Sequence, residues 1–131
     1  MEKLELKHLA AYLPYNLKVT FEHDEEHTHD LVGLNYNWQG VDLISQFGDF
    51  GRSEIEKAKP ILRPLSDLAN EIEHKGEKFM PADKLPHLYL SYLIDDPELI
   101  MTIEYEDVQK LISWHFDVFN LIEKGLAVPL T

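Results

Sequence analysis

The sequence predicts an α+β domain, and three observations predict it. The first third alternates apolar with polar residues, the period of a half-buried strand. Prolines and glycines cut the middle into short pieces. The last third holds one run of helical periodicity from Glu104 to Lys124. The expected architecture is a short N-terminal helix and a three-stranded antiparallel meander packed against three or four helices. A long C-terminal helix stands at the centre, and residues 1–131 form a single domain.

Each element has its own argument. Leu6, Leu9, Ala10 and Leu13 stand at i, i+3, i+4 and i+7, which predicts a short amphipathic helix that Pro14 ends. Leu17, Val19 and Phe21 alternate with Lys18, Thr20 and Glu22 as a first strand. The polar run His23 to Asp30 reads as a solvated hairpin loop, Leu31 to Trp38 as a second strand, and Val41, Leu43 and Ile44 as a third after a turn at Gln39 and Gly40. GDFG, from Gly48 to Gly51, reads as a loop. It shares letters with the kinase magnesium tripeptide, but the other kinase signatures are missing. Ser53 with Glu56 fits a capping box for a helical turn over residues 54–58. Pro60 and Pro64 make KPILRPLSDL an extended connector, and Ser66 is placed to cap a helix from Asp67 to about Glu73 that Gly76 stops. Pro86 opens a further helix, HLYLSYLI, that stops before Asp95. In the final helix Glu104, Glu106 and Asp107 sit at the positive end of the dipole, and Lys124 and Gly125 serve as last-turn cation and C′ glycine. LAVPL then runs back extended across the core.

Composition narrows the function classes. The chain has 131 residues, 44% of them hydrophobic, enough for one ordinary core. It has no cysteine, which excludes disulfides and cysteine chemistry and fits a reducing compartment. No apolar run has the length of a membrane span, and MEKLELKH lacks a secretion signal's apolar stretch, so the expectation is a soluble, cytoplasmic protein. Against 24 Asp plus Glu stand 12 Lys plus Arg, a formal net charge of -12. The cations are scattered singly, which disfavours direct nucleic-acid binding, and the acidic balance favours a basic partner over an acidic one.

Four groups of residues invite a chemical reading. His23, His27 and His29 lie among five carboxylates in FEHDEEHTHD, and imidazole with carboxylate suits zinc, nickel or copper. The leading reading is a plain acidic loop, since a solvated hairpin tip must be ordered before it can hold a metal. His115 sits between Trp114 and Phe116 on an apolar face, where the expected role is a part-buried imidazole bonded to a carbonyl or carboxylate; a general base is the sharper alternative. Asp95, Asp96 and Glu98 around Pro97 read as a helix-ending turn. Arg63, next to Pro64, is placed to pair Asp67 or hold an anion. No catalytic set is complete and no cofactor is expected. Trp38, Trp114 and Phe116 are the candidates for an exposed contact surface, because the C-terminal stripe is wide for a core of this size.

KPILRPLSDL, GEKFMPADKL, VQKLISWHFDVFNLIEKGLAV and HLAAYLPYNLK together resemble a set of small phage and prophage proteins of gut bacteria. The resemblance implies a mobile-element origin and a bacterial host cytoplasm; it implies no activity, cofactor or catalytic residue. The leading functional expectation is a non-catalytic accessory protein acting by protein–protein contact or self-association. An acidic mimic of nucleic acid is the second reading, and a metal-binding protein using His23, His27 and His29 the third.

Overall fold

The computed structural model describes residues 3–21, 24–85, 96 and 103–130. Within them the protein is mainly β. A six-stranded sheet has the order β4-β3-β2-β1-β5-β8, and β6 and β7 form a separate two-stranded ribbon. The strands are β1 (Lys18–Phe21), β2 (Asp24–Asn35), β3 (Gly40–Ser45), β4 (Phe50–Glu54), β5 (Ala58–Leu62), β6 (Ile72–His74), β7 (Glu77–Phe79) and β8 (Val128–Pro129). The described α-helices are α1 (Leu6–Ala10) and α2 (Tyr105–Ser113). The expected α+β architecture of three or four helices around a long C-terminal one is therefore overturned. The helix expected over HLYLSYLI lies outside the described residues.

The meander grows where loops were expected. The polar stretch from Asp24 is strand, not hairpin tip: Phe21 pairs with Asp24, Val19 with His29 and Lys18 with Asp30. Its backbone is held from the other side as well, since the Gln46 N–H donates to the Thr28 carbonyl and the Thr28 N–H to the Gln46 side chain, each at 3.2 Å. GDFG enters β4, which pairs with β3 from Ile44↔Phe50 to Gly40↔Glu54. The connector KPIL is β5, antiparallel to β1. It tolerates Pro60 because β8 pairs only with Ile61 and Leu62, leaving the outer side of β5 beside the proline at an edge. The helix expected after Ser66 is instead a 3₁₀ turn, Leu65–Ala69, followed by the β6–β7 hairpin. Lys75 and Gly76 turn that hairpin with φ of 52° and 82°, the double positive φ of a tight two-residue turn.

The long helix fails at one residue. α2 ends at Ser113, and His115 takes φ 65°. The His115 N–H donates to the Ile112 carbonyl and the Phe116 N–H to the Leu111 carbonyl, the paired bonds of a Schellman ending with histidine at C′. The left-handed conformation costs a non-glycine residue roughly 1–2 kcal/mol. In return Phe116 leaves the cylinder and enters the core, fully buried. The chain closes again over residues 121–125, where Gly125, at φ 75°, donates to Ile122 and Leu126 to Leu121. Gly125 is thus a C′ glycine, of a single turn.

One face of the sheet carries the core. Val19, Leu31, Val41, Leu43 and Leu62 pack there against Leu9 and Tyr12 near the N-terminus and Leu111, Phe116 and Leu121 near the C-terminus. Among the described residues no helix is long and apolar enough to cross a membrane.

Candidate functional site

Two places gather polar and aromatic groups in unusual density. The first is the chain reversal after α2. Arg63 and Phe116 form a parallel bridge: the Arg63 N–H donates to the His115 carbonyl at 2.7 Å, and the Asp117 N–H to the Arg63 carbonyl at 2.9 Å. The Arg63 guanidinium donates to the Trp114 carbonyl through Nε and to the Glu73 carbonyl through Nη2. The Tyr12 hydroxyl donates to the Phe116 carbonyl at 2.5 Å and accepts from the Val118 N–H at 3.2 Å. The Asp117 carboxylate accepts from the Leu121 and Ile122 N–H groups, which caps the next turn. Burial pushes the Tyr12 hydroxyl and the Asp117 carboxyl upward in pKa; for Asp117 its two backbone donors pull the other way.

His115 belongs to this knot. Its Nε2 lies 2.6 Å from the Tyr15 carbonyl, so that nitrogen carries the proton. The expected carbonyl-bonded imidazole is what stands there. The ring of His74 meets it edge-on at 4.9 Å. Burial holds both imidazoles below the ordinary range, His74 at about 4 with His115, Arg63 and Lys75 adding repulsion. The charges acting on the pair are cationic, so they disfavour imidazolium and repel a cation. Arg63 is committed to backbone carbonyls, with Asp67 acting on it only at longer range. Among the described residues, no buried side-chain nitrogen or oxygen lacks a hydrogen-bond partner.

Of the metal candidates, His27 and His29 are described. His23 lies outside the described residues. His29 packs its ring on Phe21 at 4.8 Å and His27 packs on Phe47 at 5.9 Å. Among the described residues no three potential ligands converge on a metal position. Asp95 and Glu98 of the acidic turn lie outside the described residues too.

The second place is the sheet face opposite the core, over β2, β3 and β4. Strand alternation turns Val41 and Leu43 inward and Gly40, Asp42 and Ile44 outward. Across the register Ile44 faces Phe50 and Asp42 faces Arg52. The Arg52 Nε donates to the Asp42 carboxylate at 3.1 Å, while its guanidinium lies 5.8 Å from the Phe50 ring centre. Two strand glycines make room for this surface. A Cβ on Gly33 would stand 2.9 Å from an Asp42 carboxylate oxygen, and one on Gly40 would stand 2.3 Å from the Trp38 ring. Phe50 remains 62% exposed, Phe47 73% and Trp38 40%.

Of the three expected contact residues, Trp38 is on this face. Trp114 is half-buried against Phe79, and Phe116 is fully buried, so a partner cannot reach it. The reason is the helix break, which turns Phe116 from an outer stripe position into the core. Sequence reasoning missed Phe50, Arg52 and Asp42. The signal was present: Phe50, Arg52 and Glu54 alternate with Gly51 and Ser53 as a strand does, directly after the discarded GDFG match. No family model, curated protein or solved structure matches the chain.

Proposed function

We propose that the protein is a non-catalytic accessory domain of the phage or prophage kind that works by protein–protein contact in the cytoplasm of a bacterial host. The observation that carries this reading is the outward face of β2, β3 and β4. There Arg52, paired with Asp42, lies over the exposed Phe50 ring, Gly33 clears space for Asp42 and Gly40 for Trp38, and neither Phe50 nor Trp38 belongs to the core. Ordered aromatic side chains flanked by an arginine are the usual anchors of protein contacts. The titratable groups of the buried knot support the same reading, because Tyr12, Arg63, His115 and Asp117 each bond the backbone. Nucleic-acid mimicry has less support. Asp30, Asp42 and Glu77 are each paired with Lys18, Arg52 or Lys84, which interrupts any row of unpaired acids.

The test is site-specific photocrosslinking in cells. Phe50→p-benzoylphenylalanine is expected to give a discrete adduct, and Tyr105→p-benzoylphenylalanine, on α2 and 76% exposed, to give none. Equal labelling at both positions, or none at residue 50, would overturn the reading.

A further inference from the structure

We infer that the contact partner is a second copy of this chain, joined by antiparallel pairing of β4 with β4 about Gly51. The inference rests on the contact reading above and names its partner. β4 ends the six-stranded sheet and, among the described residues, pairs with β3 alone. Such an edge offers unpaired backbone groups to another strand. At its middle is a glycine that nothing among the described residues explains. Gly51 is absent from the positive-φ positions, and a Cβ built on it would meet no described atom within 4 Å. Gly33 and Gly40 each make room for a neighbouring side chain, whereas a Cβ on Gly51 would meet none among the described residues. A glycine inside a strand marks a place where another backbone comes close.

The residues on either side of Gly51 then choose the partner. In an antiparallel pair about a two-fold axis, directly opposed residues share a face. With the axis at Gly51, Phe50 faces the partner's Arg52 and Arg52 faces the partner's Phe50. The arginine–ring stacking already present within one chain is thereby repeated twice across the seam. On the other face Ser53 comes opposite the partner's Asp49, a hydroxyl donor against a carboxylate. Residues 49–53 hold one acid and one base, so the seam brings no net charge together in a chain of net charge -12. The neighbouring axes are worse. Centred on Arg52, pairing sets guanidinium against guanidinium. Centred on Ser53, it covers the same number of β4 residues and sets Arg52 opposite the partner's Glu54, but it leaves Gly51 without a role and runs into the 3₁₀ turn Ile55–Lys57.

The absence of cysteine gives a direct test on the full chain. Wild-type protein is expected to show twice the mass of one chain by light scattering, falling toward one chain on dilution. F50E and R52E are expected to remain at the mass of one chain, with melting curves like that of the wild type at dilutions where the wild type is dissociated. Mild oxidation of G51C should give a covalent dimer that reductant reverses, because residue 51 meets its own copy at the axis; S53C, offset from the axis, should give little. A wild type with the mass of one chain at every concentration would overturn the inference, as would crosslinking through S53C in preference to G51C. A photocrosslinked adduct at residue 50 containing only a different protein would also overturn it, while leaving the contact reading standing. No adduct at all would remove both.

Discussion

The reversal after α2 and the outward face of β4 treat polar groups in opposite ways. At the reversal, strain and burial are both accepted: His115 and Asn120 adopt positive φ, and a carboxylate and a hydroxyl are taken out of water. Every one of those groups is answered within the chain, by the Tyr15 carbonyl, the Leu121 and Ile122 amides and the Phe116 and Val118 backbone. At β4 the backbone is relaxed, yet Phe50 stays in water and one side of the strand has no described partner. The difference separates what holds the fold from what the fold presents. Substitutions at the first region should read out in stability, and those at the second in association.

The largest expected effect is at the reversal. Phe116→Ala removes a fully buried ring from the junction of sheet and helix, and should cost about 3–5 kcal/mol by urea denaturation. A loss under about 1 kcal/mol would mean that the reversal does not organise the core. Next comes Tyr12→Phe, which removes the hydroxyl from the Phe116 carbonyl and Val118 N–H and leaves them only their own 3.0 Å bond to each other. It should cost about 0.5–1.5 kcal/mol, the net worth of a hydrogen bond whose backbone partners keep another.

The same contrast explains what was legible in the sequence. Period-two alternation found β1 and β3, because the apolar positions of each turn to the core, although Thr20 on the opposite face of β1 is buried as well. It missed the first half of β2, whose residues are polar on both faces and are held by ladder bonds and ring contacts that composition does not reveal. The helix over 104–124 was misread because its periodicity is real as far as Ser113, and histidine is not the residue expected at a C′ position. The excess width of the apolar stripe was the clue. A cylinder with Trp114, Phe116, Val118 and Leu121 added around it has too much to bury on one side, and the chain resolves this by breaking. The hydrogen-bonding role of His115 was legible because an isolated histidine among apolar neighbours needs a polar partner, but its place at the break of the helix was not. His74 was missed because its contact with His115 spans two elements with no sequence signal linking them. The outward site was half legible, in Trp38, and otherwise hidden under a loop assignment.

A smaller effect should appear on acidification, and it sharpens the view of the reversal as purely structural. His74 is held at about 4 against an ordinary 6.5, and His115 is lowered as well. Between pH 6.5 and about 4 the unfolded chain therefore binds protons that the folded chain does not, so stability is full above 6.5 and falls as pH drops through that window. Asp117 acts in the opposite sense, because its raised pKa lets the folded chain bind a proton first near the carboxylate range. The histidine loss should therefore be clearest at the upper end. Urea midpoints measured from pH 7 downward should decline, and H74Q should make the decline shallower. A midpoint unchanged by pH in both proteins would show that the pair is not held neutral by the fold.

The smallest stability change should come from Phe50→Ala, and its smallness is the point. Phe50 is 62% exposed and lies outside the core, with Ile44 across the strand pair and Arg52 over its ring. A surface change of this kind stays within about 0.5 kcal/mol in a dilute, dissociated sample. Gly40→Ala gives the matching control on the same face, since it drives a Cβ into the Trp38 ring and should displace that side chain without touching the buried knot. If Phe50→Ala unfolded the chain as readily as Phe116→Ala, the outward ring would be part of what holds the sheet together, and its exposure would no longer argue for a partner. If it leaves stability unchanged and abolishes the mass increase on concentration, the aromatic edge is kept for association alone.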